Sequence, residues 1–98
     1  GAEGFTKMQD IMKSFRQTIT HFGNKKVTKV LDYNTGLDGL PKSDVLKFIL
    51  EDHCSIVVRP SGTEPKLKTY ISVSAKNEQE AALLEKQICE DAEKMIHA

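Results

Sequence analysis

The sequence lacks most of what would mark it as anything other than a folded domain. Its 98 residues include no tryptophan, only two cysteines and three prolines, and carry no net charge. No stretch approaches the roughly eighteen apolar residues that a membrane-spanning helix needs. Glycine and proline are too sparse for collagen or a low-complexity linker, and 39% hydrophobic residues is too many for a disordered chain. Cys54 and Cys89 have no second pair and no signal peptide beside them, which predicts reduced thiols in a cytoplasmic protein. Zinc requires four clustered ligands, and His53-Cys54 keeps no ligand spacing with His21, Cys89 or His97, so no metal site is expected. One domain over 1–98 remains, long enough to bury a core without staples. It opens Gly1-Ala2 without methionine, which reads as a cloning remnant on a domain taken from a longer chain.

The cancelled charge hides an asymmetry. Residues 1–50 carry eight basic and five acidic side chains, whereas 51–98 carry six and nine. Six of those acids fall in the last twenty-two residues, against Lys86 and Lys94 alone. Between 59 and 68 the sign reverses, with Arg59, Lys66 and Lys68 facing Glu64. A positive island in an acidic half suits a small anion better than a polyanion. Zero net charge and few aromatics also argue against a nucleic-acid partner.

Hydrophobic spacing orders the chain α-β-β-β-β-α. Phe5, Met8, Ile11, Met12 and Phe15 make one helical stripe, with Thr6 and Gln9 at capping-box spacing and an end near Arg16. Residues 17–24 are expected to be an extended connector, stopped by Gly23-Asn24. Lys26 to Tyr33 reads as a strand with imperfect alternation, and 34–43 as a loop. Leu46, Phe48 and Leu50 alternate on a second strand, and the polar turn 51–54 leads to a third over 55–59, a hairpin. Leu67, Thr69, Ile71, Val73 and Ala75 alternate on a fourth. Asn77, with Glu80 three residues later, caps a last helix bearing Leu84, Ile88, Ala92 and Met95. Short connections exclude parallel crossovers, so an α+β fold is expected: a four-stranded, mainly antiparallel sheet with both helices on one face.

The chemistry concentrates in Arg59-Pro60-Ser61-Gly62-Thr63-Glu64-Pro65-Lys66, between the third and fourth strands. Arginine offers a planar fork that matches two phosphate oxygens. Ser61 and Thr63 add hydroxyls, and Gly62 allows a close, left-handed backbone whose successive N–H groups can converge on an anion. Pro60 and Pro65 restrict the loop, so less entropy is lost on binding. Lys66 or Lys68 supplies a second positive charge. Glu64 is the exception, placed to hold a lysine or a sugar hydroxyl. The bland reading is a polar turn whose glycine and prolines make the corner. The loop lacks P-loop spacing and leads into a strand. Ser61 has no histidine near it in sequence, which favours binding over nucleophilic attack.

This octapeptide, followed by Leu-Lys-Thr-Tyr-Ile, resembles the phosphate-binding loop of the phosphoglucomutase/phosphomannomutase family, the α-D-phosphohexomutases. Asp32-Tyr33, Leu40-Pro41-Lys42-Ser43-Asp44-Val45-Leu46 and the acidic last helix extend the likeness over essentially the whole chain, which matches the family's C-terminal, fourth domain. The resemblance implies a sheet-and-two-helix fold of the TATA-box-binding-protein-like group. It also implies an isomerase parent that interconverts hexose 1-phosphate and hexose 6-phosphate through a bisphosphate intermediate. In that setting Arg59, Ser61, Gly62, Thr63 and Lys68 would grip the phosphate that is not reacting, as the domain closes the cleft. The partners would be a phosphorylated hexose and the remaining domains. The family's phosphoserine motif, Ser-His-Asn, and its Asp-x-Asp-x-Asp magnesium loop do not occur here. No catalytic residue is therefore expected in this chain, and Mg2+ and hexose bisphosphate would serve the parent. The alternative is a free-standing anion-binding or interaction module without catalysis.

Overall fold

A computed structural model describes residues 2–35, 43–61, 63–64 and 66–96, and the side chains of Ala2, Glu3, Phe5 and Thr35 fall outside the description. The first helix, α1, spans Ala2–Phe15. It begins ahead of Thr6, so Thr6 lies within the helix and the capping-box reading fails. Ala2 and Glu3 are good helix formers, and the stripe outweighs the roughly 1 kcal/mol cost of Gly4. Met8, Ile11, Met12 and Phe15 are buried as expected. After Phe15 the Arg16 amide bonds to the carbonyls of both Met12 and Lys13 (3.1 Å each), a tightened last turn.

Five strands follow: β1 His21–Phe22, β2 Lys25–Asp32, β3 Leu46–Leu50, β4 Ser55–Pro60 and β5 Leu67–Ser72. They form one antiparallel sheet in chain order. The expectation of four strands is thus corrected. The connector contains β1, which folds back on β2 because Gly23 takes a left-handed φ of 59° and reverses the chain. Two residues hold no readable period, yet Phe22 is buried and meets Phe48 edge-on at 5.1 Å. The imperfect alternation of β2 has a cause: a bulge between Val27 and Lys29, where the Thr28 hydroxyl donates to the Ile49 carbonyl (3.1 Å). The β3–β4 hairpin turns through Asp52 and His53, both left-handed (φ 56° and 63°), a backbone that suits the twist of paired strands.

The second helix, α2, spans Glu78–Ile96, and Asn77 Oδ1 accepts from the Glu80 amide at 2.8 Å, the expected cap. Leu46, Phe48 and Leu50 of β3 and Ile56 and Val58 of β4 point to one side of the sheet. There they join Leu84, Ile88 and Ala92 of α2 and the stripe of α1 in a single core. Leu67 and Ile71 of β5 pack against its margin, although β5 ends three residues short of Ala75. The opposite, outer face receives neither helix stripe. Among the described residues, no helix is long and apolar enough to cross a membrane.

Candidate functional site

The β4–β5 corner begins where the ladder ends. Pro60 pairs with Leu67, and one step further the Ser61 amide donates to the Lys66 carbonyl at 2.8 Å, closing the loop's base. Ser61 is 5% exposed, and Ser61 Oγ accepts from the amides of Thr63 and Glu64, each at 3.3 Å. Its hydroxyl lies 3.5 Å from Thr63 Oγ1. Sequence alone makes Ser61 a hydroxyl donor to an anion. The fold instead tucks it inward, where its oxygen gathers two successive N–H groups. Both bonds are long for N–H···O contacts, which centre near about 2.9–3.0 Å, and so are weak. Thr63 is exposed. Glu64 holds Lys66, with Lys66 Nζ 3.4 Å from Glu64 Oε2. Gly62 and Pro65 lie outside the described residues.

Arg59 and Lys68 stand directly opposite each other as a cross-strand pair on the outer face. Both are exposed, and neither forms an ion pair among the described residues. Two like charges so placed repel, and no carboxylate among the described residues offsets them. The Arg59 guanidinium carbon lies over the Tyr70 ring, 5.9 Å from its centroid. The next row across the sheet, Leu31–Lys47–Val57–Tyr70, adds Lys47, and the row beyond it begins with Lys29. From the bulge to the corner, the outward positions of β2 to β5 hold Lys29, Lys47, Arg59 and Lys68 and no carboxylate. Lys47 and Tyr70 escaped the sequence reading. Alternation on β3 and β5 marks both as outward, but only the register sets them in one row beside Arg59.

The same end of the sheet is braced by Arg16. Its Nε and Nη2 donate to the two Asp32 carboxylate oxygens (2.9 and 3.2 Å), and Nη2 also donates to Asp44 Oδ1 at 2.7 Å. The hydrogen bond from Arg16 holds the Asp32 carboxyl below its ordinary value of 3.8, against an opposing push from partial burial. Tyr33 and Ser43–Val45 bond across the strand ends, the Tyr33 amide to the Val45 carbonyl and the Ser43 amide to the Tyr33 carbonyl. Among the described residues, no group of three or more His, Cys, Asp or Glu is gathered to hold a metal ion. A groove of about 990 Å³ lies at the opposite end, by the Asp52–His53 turn. Its charges are mixed and Lys25 there is already paired with Asp52 at 2.6 Å, so its volume does not mark an anion site.

The domain thus sets two cations without an ion-pair partner among the described residues beside a turn gathered on a buried hydroxyl. The comparisons with known proteins give its family. Residues 5–91 match the family described as phosphoglucomutase/phosphomannomutase, C-terminal domain, and the chain belongs to that family. Phosphoglucomutase from Staphylococcus epidermidis is 37% identical over 86 residues, covering 76% of this chain and 16% of the relative. Those from Staphylococcus saprophyticus and Staphylococcus aureus are 36% and 38% identical over 89 residues, with 79% and 16% covered in each case. The chain thus spans about one-sixth of the length of these relatives. No solved structure matches it.

Proposed function

We propose that this chain is the substrate-phosphate-binding domain of a phosphohexomutase, gripping the non-reacting phosphate of a hexose phosphate through Arg59, Ser61, Gly62, Thr63 and Lys68. The observation that carries the reading is the Arg59–Lys68 pair. Opposed cations with no carboxylate partner among the described residues are a cost to the free fold that a dianion removes. An anionic oxygen would also compete well for the Thr63 and Glu64 amides, because charge-assisted bonds near about 2.7–2.9 Å outweigh the long ones they make to Ser61. Arg59 fits a bidentate grip, and Lys68 contributes a mobile point charge.

In the parent enzyme this domain positions substrate and neutralises charge while other domains perform the phosphoryl transfer between the 1- and 6-positions. Binding energy from the remote phosphate orients the reacting end. Closure over the sugar then limits loss of the phosphoryl group to water. The phosphoserine and the Mg2+ carboxylates are assigned to the rest of the parent chain, because neither Ser-His-Asn nor Asp-x-Asp-x-Asp occurs in this sequence. The sheet with two helices on one face is read as the TATA-box-binding-protein-like layout, with β1 as an added edge. Isolated, these 98 residues are expected to show no mutase turnover.

An NMR titration with glucose 1-phosphate tests the assignment. One loop offers few contacts, so a roughly millimolar Kd is expected. The amides of Thr63 and Glu64 should shift first. Shifts confined to α2 would reject the site.

A further inference from the structure

We propose that Tyr70 is a positioning residue for the anion site, restraining the Arg59 guanidinium through a cation–π contact on the outer face of the sheet. The inference rests on the phosphate-binding reading above and adds to it a residue outside the loop. Arg59 is exposed and lacks a carboxylate partner among the described residues, so no ion pair with them restrains its long side chain. An arginine in that state samples many rotamers, and that freedom must be lost when it binds.

The sheet supplies the restraint. Arg59 faces Lys68 and Val57 faces Tyr70, which makes Tyr70 the diagonal neighbour of Arg59 on the outer face. Diagonal neighbours lie within reach of long and aromatic side chains. The guanidinium carbon sits 5.9 Å from the Tyr70 centroid, inside the range of a cation–π contact. Tyr70 is 51% exposed, so the core makes little use of the ring. A ring contact uses up none of the guanidinium N–H groups, which stay available to a bidentate acceptor. The division of labour follows: Tyr70 sets the orientation of one cation and the strand register sets the spacing of the other.

The test is a phosphate titration of the 98-residue chain and its variants, followed by NMR at the Arg59 Nε–H and the Thr63 and Glu64 amides, with inorganic phosphate and glucose 1-phosphate as probes. Tyr70→Leu should raise Kd about two- to five-fold, the worth of an exposed cation–π contact. Tyr70→Phe should keep the Kd of the parent sequence, because the ring and not the hydroxyl makes the contact. The ring-current displacement of the Arg59 side-chain protons should vanish in Tyr70→Leu and persist in Tyr70→Phe. In an Arg59→Ala background, Tyr70→Leu should change nothing further. An unchanged Kd in Tyr70→Leu overturns the role of Tyr70, and so does equal weakening with and without Arg59, which would mean that Tyr70 acts on the fold. If Arg59→Ala itself leaves phosphate binding intact, the phosphate-site reading falls instead.

Discussion

Replacing Lys68 by glutamate should make this domain more stable and worse at holding phosphate. Like charges directly opposite on paired strands destabilise, and opposite charges stabilise, by roughly 0.2–1 kcal/mol each. Lys68→Glu converts one into the other across from Arg59, so the two contributions add to about 0.4–2 kcal/mol. Both side chains are exposed, and solvent screening brings the expectation to about 0.5–1 kcal/mol. For a domain of this size 1 kcal/mol moves Tm by about 4–8 °C, so a rise of about 2–8 °C is expected at low ionic strength. In about 1 M salt, where the Debye length shrinks to about 3 Å, the gain should largely disappear. The same change removes a cation from the phosphate and sets a carboxylate in its place. Losing one charged hydrogen bond, worth about 1.5–3 kcal/mol, should weaken phosphate binding by at least about ten-fold. Thermal unfolding at two salt concentrations and a phosphate titration read both effects. A lower Tm in Lys68→Glu, or phosphate binding that survives it, would refute the claim that the fold holds these cations apart for an anion.

Two further outcomes test the frame around the site. Gly23→Ala should destabilise by about 1–3 kcal/mol, because a left-handed φ costs an L-residue about 1–2 kcal/mol before any crowding. The new Cβ would also stand 3.2 Å from Gln87 Cβ on α2. An unchanged urea midpoint would show that the β1–β2 turn is not held against the helix. The second concerns acid. Arg16 depresses the Asp32 carboxyl in the folded state, so its stabilising contribution is complete above the unfolded value of 3.8 and is lost as pH falls through the folded value. Asp32→Asn should therefore be less stable than the parent sequence at pH 7, and the gap should close below pH 3.8. A gap that stays constant down to pH 2 would place the Asp32 contribution in packing, not charge.

What could be read from the sequence divides along physical lines. Helix α2 was legible because its cap and its stripe agree: Asn77 meets the Glu80 amide, and Leu84, Ile88 and Ala92 all reach the core. The β3–β4 hairpin was legible for the same reason, since alternation and turn polarity point one way. Strand β1 was not, because two residues carry no period and Gly23 signals a stop and a reversal equally well. The start of α1 was misplaced because Thr6 and Gln9 imitate a cap inside a helix. At the corner, residue types pointed to an anion site. The inward turn of Ser61 and the row joining Lys47 to Tyr70 depend on where the ladder ends and how it registers, and neither leaves a local trace.

The outward row of lysines and arginine has a counterpart on the other side of the molecule. Helix α2 bears six acids and two lysines, and its solvent side looks away from the sheet. A body with no net charge is therefore a sizeable electric dipole. At neutral pH and low ionic strength, its copies are expected to attract one another front to back. Added salt, which confines those fields to about 10 Å at 0.1 M, should dissolve more of the protein before it dissolves less.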